Sequence, residues 1–402
     1  MYGRLLALPR TVWLIGLISQ LNDSASEMIY PLVPLYLASV LMAGPRVLGL
    51  IEGIAEATAS LLKLFSGVIV DYTRRAKPWV VAGYALAGFT RPLIALATSW
   101  PGVLALRFAD RVGKGLRTSP RDALLAASVV PGARGLAFGL HRAMDNAGAV
   151  VGPLLAALLL GLGWSLREVI LFAIVPAVAC LILSLWLREP APDAERPRPP
   201  TFSWRLAGLA PAFKRYLVVL ALFNLGNASN MFLLLRARDL GLPEAQVPLA
   251  WAAVSLVAMV LSTPLSGLSD RLGRTRLILV GWLAYGVFYL GLGVLPPQSP
   301  LALYGLFAFY GVFMAATEGV EKALVADLAP AELRGTAYGW FNLTAGLMLL
   351  PASLLFGALY QGVSASAAFG FSAACALAAA ALLVRWVLHA TRSISDQPGE
   401  TR

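Results

Sequence analysis

The segment RFADRVGKGLRTSPRD, residues 107–122, places charged side chains inside a stretch apolar enough to span a membrane. Asp110, Lys114, Arg117 and Arg121 stand at positions i, i+4, i+7 and i+11, so an α-helix puts them on one face. Near the bilayer centre, each charge facing lipid would cost at least ~2.5–3.5 kcal/mol. The stripe must therefore face water or charged partners, and a charged passage inside a helical bundle is typical of a transport pathway.

Candidate proton carriers stand in two other apolar segments. Asp23 and Glu27 are one helical turn apart among polar residues, and Asp145 lies in the fifth segment. A carboxyl group can gain and lose a proton when its surroundings alternate between dry and wet, or between near and far from an arginine. We expect these three acids to couple transport to protons. For Asp23 and Glu27, permanent pairing with the bases of residues 107–122 is the alternative.

Candidate substrate contacts combine cationic and amide side chains. Cations would attract an anionic group, and an asparagine amide can donate and accept hydrogen bonds, which suits neutral or zwitterionic groups. The asparagines lie in FNLGNASN, residues 223–230, whose glycine and polar residues predict a locally broken helix beside a cavity. Hydrogen bonding between helices is the alternative for them. The predicted contacts are Lys114, Arg117, Arg142, Asn227, Asn230 and Glu318.

Charged residues at the predicted helix ends are candidate gates. Arg75 can pair with Asp122, and the equivalent latch in the second half would use Asp270 and Arg274. Asp71 can face the positive end of the eleventh segment. The alternative is that these charges only set topology and solubility.

A sign exchange suggests one more gate. At an offset of two hundred residues, Arg121 corresponds to Glu321 and Asp122 to Lys322. We therefore predict that Arg121 pairs with Glu321 between two halves of the protein. Pairing of each residue within its own half has equal weight, because a buried ion is stabilised by any near partner.

Other chemistry is not indicated. The sequence lacks the phosphate-binding GxxxxGK[ST] pattern, so direct ATP drive is unsupported, and no nucleophile–base set suggests an enzyme. His141 and Asp145 have a metal-binding spacing, but the only other histidine is His389. We expect no enzyme activity, metal or cofactor.

Composition identifies the elements that position these residues. The chain has 402 residues, of which 58% are hydrophobic and 13% charged, as in a polytopic membrane protein. About twelve apolar segments have the roughly 20 residues needed to span a bilayer. The predicted spans are 11–40, 46–70, 78–98, 101–127, 134–161, 167–188, 213–236, 246–269, 276–295, 300–328, 335–360 and 367–388.

An internal repeat divides the chain. RGLAFG, residues 134–139, returns as RGTAYG, residues 334–339, and between the two copies lies a proline-rich polar stretch. We predict an all-α fold of two pseudo-symmetric six-helix bundles with a site between them. Residues 1–188 form the first bundle, 189–212 a cytoplasmic linker, and 213–402 the second bundle with a short cytoplasmic tail.

The net charge of +11 follows the positive-inside rule. The predicted loops on the side of the termini hold most arginines and lysines, and the opposite loops hold only Arg46, Arg167, Arg236 and Arg238. We expect a multi-pass protein of the plasma (inner) membrane with both termini in the cytoplasm. No nucleic-acid partner is expected, and we predict a monomer that contacts membrane lipids, protons and a small molecule.

Several motifs resemble the major facilitator superfamily of secondary transporters, and the resemblance covers nearly the whole chain. Gly67, Asp71, Arg74 and Arg75 resemble the family's signature between helices 2 and 3, and Asp270, Arg271, Gly273 and Arg274 resemble its second copy. Arg107 with Gly113 and Gly115 resembles the helix-4 pattern. Gly148, Gly152 and Pro153 resemble the GxxxGP of drug–proton antiporters, with Ala156 and Ala157 where a glycine pair is usual.

The resemblance implies a twelve-helix secondary transporter that alternates access by rocking its two halves. We predict proton-coupled efflux of a small organic anion or zwitterion. Proton-coupled uptake of an anionic nutrient is the first alternative, and a lipid scramblase or flippase is the second.

Overall fold

A computed structural model of the chain describes residues 8–73, 75–129, 134–189, 206, 208–330 and 333–388, and these residues form helices and turns without a β-strand. The side chains of 64, 67–73, 126, 134–136, 139, 263, 266, 267, 270, 271, 318, 326, 334, 335 and 388 are not described either.

The described residues of the first half form six helices, two of them interrupted. Pro31 interrupts the first helix, because proline lacks the N–H that would continue the ladder of hydrogen bonds. The helices are α1a (Arg10–Ile29), α1b (Leu32–Leu35), α2 (Pro45–Thr73), α3 (Lys77–Leu93), α4 (Trp100–Ala127), α5 (Arg134–Gly161), α6a (Leu166–Phe172) and α6b (Ile174–Leu185).

The second half repeats this order, with its break in the seventh helix. Its helices are α7a (Pro211–Gly226), α7b (Met231–Asp239), α8 (Val247–Leu272), α9 (Arg274–Val294), α10 (Pro300–Leu328), α11 (Arg334–Gly362) and α12 (Ala365–Leu383). The predicted spans agree with these bounds to within a few residues. In the described part of the chain, nine helical segments are long and apolar enough to cross a membrane. Those nine do not include α1, α2 and α4, which carry most of the charges described below.

The packing has a two-fold pattern. In the first half α1 packs on α5, and α4 on α2 and α3; in the second half α7 packs on α11, and α10 on α8 and α9. The halves meet where α2 contacts α11 and α5 contacts α8, which are equivalent pairs under the repeat. The all-helical fold of two repeated halves is therefore the one predicted.

Two glycines of the GxxxGP motif allow close packing of α5 on α1. A Cβ atom added at Gly148 would lie 2.5 Å from the carbonyl oxygen of Gln20, and one at Gly152 would lie 2.5 Å from that of Ser24. Backbone atoms cannot yield as a flexible side chain can, so only glycine permits this helix separation.

We call the two ends of the bundle the terminal side, where α1 begins and α6 ends, and the distal side, where α1b and α7b lie. On the distal side the two halves are in contact. The backbone N–H of Arg46 donates to Gln361 Oε1 at 3.2 Å. A Cβ atom at Gly357 would lie 2.6 Å from the carbonyl oxygen of Pro45. Helices α2 and α11 are therefore closely packed at this end.

Candidate functional site: a cavity between the two halves

A cavity of about 550 Å³ lies between the halves. Helices α1, α2 and α4 line it from one side, and α7, α8, α10 and α11 line it from the other. We call it the central cavity. Because both halves contribute walls, any movement of one half against the other would change the contacts of a molecule bound there.

Behind the wall of the first half, Asp110 is fully buried among arginines. Its Oδ1 lies 2.7 Å from Arg91 Nε, and its Oδ2 lies 3.3 Å from Arg107 Nη1. Arg91 also donates to Asn22 Oδ1 at 2.9 Å. Buried charges are tolerated when ion pairs and hydrogen bonds surround them, so this cluster ties α1, α3 and α4 together.

Two further ion pairs connect α4 to α2. Arg107 Nη2 lies 2.6 Å from Glu52 Oε1, and Arg111 Nη1 lies 3.1 Å from Glu56 Oε1. Ser229 of the second half donates to Glu52 Oε2 at 3.4 Å. Glu52 and Glu56 of α2 are thus paired within the first half, and Glu52 also contacts the break in α7.

Two lysines of this wall differ from the arginines in that they form no ion pair with a described acid. Lys63 and Lys114 line the central cavity, and neither forms an ion pair with a described carboxylate. An ammonium group that lies at a cavity wall and forms no ion pair can bind an anionic ligand. Lys114, one of the predicted substrate contacts, therefore lines the central cavity.

The wall of the second half supplies amides and aromatic rings. As FNLGNASN predicts, the seventh helix is broken between Gly226 and Met231, and Asn227 and Asn230 line the cavity there. Tyr310 donates its hydroxyl to Asn230 Oδ1 at 2.7 Å. Together with Phe223, Phe313 and Trp251, this wall offers apolar faces with a few hydrogen-bonding groups.

Toward the distal end of the cavity, a hydrogen bond to a glutamate and a contact between two aromatic rings join the halves. Trp251 Nε1 of α8 donates to Glu27 Oε2 of α1 at 2.9 Å. The ring of Tyr30 lies 5.2 Å from the Trp251 ring, centroid to centroid. Of the three predicted proton carriers, Glu27 is the one that lines the cavity among the described side chains.

Asp23 and Asp145 lie instead in a second polar cluster inside the first half. Asp23 Oδ1 accepts from Asn22 at 2.8 Å. His141 Nδ1 lies 3.6 Å from Asp145 Oδ2. His141 Nε2 is 2.8 Å from Ser19 Oγ. These acids contact buried polar neighbours rather than the lining of the central cavity.

The helical stripe of α4 is consequently divided. Asp110 and Lys114 have the surroundings given above, whereas Arg117 packs with its guanidinium 4.9 Å from the centre of the Tyr84 ring. Arg121 pairs with Asp122 at 2.9 Å and donates to Ser19 at 3.2 Å. Asp110 and Arg121 of this stripe therefore contact charged or polar groups, Arg117 contacts an aromatic ring, and Lys114 lines the central cavity.

The other predicted site residues lie on α5 and α10. Arg142 is exposed on α5, and the side chain of Glu318 lies outside the described residues. Lys322 is exposed on α10, and Glu321 lines the central cavity and accepts from Trp282 Nε1 at 3.0 Å.

Among the predicted latches, Arg75 is exposed, and the side chains of Asp71 and Asp270 lie outside the described residues. Arg274 pairs with Asp327 at the end of α10 at 2.8 Å. This pair joins α9 to α10 within the second half, and in the first half Asp122 pairs with Arg121.

Sequence reasoning did not assign Lys63 or Trp251 to the cavity. Lys63 follows Glu52 and Glu56 at helical spacing, and that spacing favoured salt bridges within the first half. Trp251 stands in an apolar span, and the sequence carries no signal that its indole would contact an acid in the other half.

The fold is shared with known transporters. The structure superposes on that of the nucleoside transporter NupG with a TM-score of 0.78 at 14% identity, covering 94% of this chain and 99% of that one. An uncharacterized MFS-type transporter of Methanocaldococcus jannaschii is 34% identical over 385 residues, 94% of this chain and 95% of its own length. The multidrug resistance protein MdtH of Salmonella newport is 28% identical over 324 residues, 78% of each chain.

The model of one family covers both halves, matching residues 12–236 and 216–402. This match and the Methanocaldococcus jannaschii relative, which aligns with 94% of this chain, assign both halves to the same family. The chain is a membrane transporter of the Major Facilitator Superfamily.

Proposed function

We propose that the protein exports a small organic anion that carries an aromatic or apolar part, in exchange for protons. This proposal rests on the ion pairs at the cavity wall. Neither Lys63 nor Lys114 forms an ion pair with a described carboxylate, whereas the neighbouring acids on α2 are paired with arginines of α4. Their charge is therefore available to a ligand.

The second half supports the apolar part of the substrate. A carboxylate held by the lysines would place the rest of the molecule against Phe223, Phe313 and the asparagines of the α7 break. Aromatic faces favour apolar groups, and the amides can bond a polar substituent or the amino group of a zwitterion. A wholly lipophilic cation would lie beside two lysines that form no ion pair with a described carboxylate.

The Glu27–Trp251 hydrogen bond supports proton coupling. A hydrogen bond to an ionised group is roughly twice as strong as one between neutral groups, so Trp251 stabilises the charged form of Glu27 while the distal side is closed. Opening of the distal side would separate the two and remove that stabilisation. Glu27 would then gain a proton on the distal side and lose it after closure, which is the sequence that an antiporter needs.

The distribution of charge and one relative support the proposed direction and location. With the terminal side in the cytoplasm, as the distribution of arginines favours, protons would enter the cell while the anion leaves. The name of the MdtH relative, a multidrug resistance protein, also supports export. We place the protein in the plasma membrane as a monomer with cytoplasmic termini.

A proteoliposome assay tests the proposal. Purified protein would be reconstituted with a pH-sensitive dye inside, and a panel of aromatic carboxylates would be added in turn. We expect at least one compound to move protons against its own direction of flux, and Glu27→Gln to abolish that proton movement. Proton flux in the same direction as the substrate would mean symport. Lipid movement without a gradient would mean scrambling.

A further inference from the structure

A second groove lies on the outer surface of the first half, away from the central cavity. It has a volume of about 750 Å³ and runs between α1, α5 and α6 at their terminal ends. Its residues do not include any that line the central cavity. Its lining includes Arg10, Trp13, Leu17, Met144, Trp186 and Arg188.

Both walls of the groove show the same order of side chains. On α1, Arg10 comes first, Trp13 one turn later, and Leu17 one further turn along. On α6, Arg188 lies just past the helix, and Trp186 precedes it at the helix end. Arg10 and Leu17 are separated by about 10 Å along the helix axis. From the end of the bundle inward, each wall thus presents a cation, an indole and then apolar groups.

The groove opens on a surface that faces hydrocarbon. Along α6 the exposed side chains are apolar and recur every three to four residues: Val175, Val178, Ile182 and Leu185 are each 40% exposed or more. Such a stripe on a transmembrane helix faces lipid. It ends at Trp186, and tryptophan is enriched where the hydrocarbon meets the headgroups.

The arginines are available for a ligand. Neither Arg10 nor Arg188 forms an ion pair with a described acid, and the groove lining contains no carboxylate. The nearest acid in sequence, Glu189, accepts the backbone N–H groups of Ala76 and Lys77 at the start of α3. Two exposed cations therefore flank an apolar groove whose lining, among the described residues, holds no carboxylate.

From this arrangement we propose that the groove binds one anionic phospholipid. Its phosphate lies between Arg10 and Arg188, its glycerol region lies at the level of the two indoles, and an acyl chain follows Leu14, Leu17 and Leu183 past Met144. A zwitterionic lipid fits the apolar part equally well, but its own cation opposes the arginines. The lipid joins α1 to α6 and so stabilises the half that carries Glu27.

Native mass spectrometry of the full chain, titrated with phosphatidylglycerol and with phosphatidylcholine, tests the site. A juxtamembrane arginine strengthens attraction to anionic lipid roughly fivefold. We expect one tight phosphatidylglycerol site, and the double variant Arg10→Gln, Arg188→Gln to weaken it roughly 20-fold while leaving phosphatidylcholine binding unchanged. Arg276→Gln is the matched control, because Arg276 is exposed at the terminal end of α9 in the other half and lies outside the groove.

A second variant tests the apolar part. Leu17→Trp fills the groove and keeps both arginines, so it should lower occupancy by either lipid while the melting temperature without added lipid stays near that of the unmodified protein. Equal affinity for the two lipids would overturn the proposal, because the groove would then be an ordinary lipid-facing surface. A double variant that still prefers phosphatidylglycerol, or an Arg276→Gln variant that loses the preference as strongly, would overturn it too.

Discussion

Removal of the indole N–H at position 251 should open the distal side of the transporter. In Trp251→Phe, the ring contact with Tyr30 can persist, but the 2.9 Å hydrogen bond to Glu27 is lost. A hydrogen bond to a charged group contributes about 1.5–3 kcal/mol. Because this bond joins the two halves only while the distal side is closed, its loss should shift the closed-to-open ratio by roughly 10- to 150-fold.

The shift can be measured as a distance between spin labels on the distal side. Leu162 and Leu301 are 67% and 86% exposed and lie at the distal ends of the first and second halves. The chain has two cysteines, and both are buried, so labels at these positions would meet little background. In detergent at neutral pH, we expect Trp251→Phe to add a longer distance that is weak or missing in the parent.

Trp282→Phe is the matched control for this experiment. Trp282 Nε1 donates to Glu321 at 3.0 Å, which is the same chemical bond, but both residues belong to the second half. Its loss should lower stability without moving one half against the other. If Trp251→Phe left the distance distribution unchanged, or if Trp282→Phe changed it equally, the Glu27–Trp251 bond would not hold the distal side closed.

Three further perturbations test other parts of the site. Lys63→Gln should weaken the thermal stabilisation of the protein by aromatic carboxylates at least tenfold in midpoint concentration, since one charged contact is lost, whereas exposed Lys214→Gln should not change it. Asp110→Asn leaves buried arginines without their anion and should lower the free energy of unfolding by about 3 kcal/mol in a denaturant titration; a loss below about 1 kcal/mol would contradict the assigned ion pairs. Gly152→Ala forces a methyl group against a backbone oxygen and should cost about 1–3 kcal/mol, whereas Gly370→Ala, with nothing within 4 Å, should cost none; similar melting temperatures for the two would show that α5 and α1 can separate freely.

The helices were predictable because the physics that sets them is local. A span needs about 20 apolar residues, and the loops between spans are short, so each boundary is marked by a change of composition. The break in the seventh helix was predictable for the same reason, since Asn227, Asn230 and Gly226 all fall within eight residues. The two-fold arrangement followed from the repeat of RGLAFG as RGTAYG.

The site was predictable only in part, because helical spacing gives a face but not what the face contacts. Spacing put Asp110, Lys114 and Arg117 on one side of α4. It could not show that α3 brings Arg91 to Asp110 and Tyr84 to Arg117, or that Lys114 lines the cavity. The contact of Trp251 with Glu27 was even harder to predict from the sequence, because it depends on how the two halves meet.

The division of charge between the halves explains how a small ligand or a proton could move so large a structure. The ion pairs around Asp110 and Glu56 lie within the first half and hold its helices as one body. In the described residues, the polar contacts that join the halves include Glu27 with Trp251 and Glu52 with Ser229. Such bonds contribute about 0.5–3 kcal/mol each, whereas shifting a two-state equilibrium from 1:99 to 99:1 takes about 5.5 kcal/mol. Protonation of one carboxylate together with loss of one contact is therefore of the right size to bias the movement of the halves.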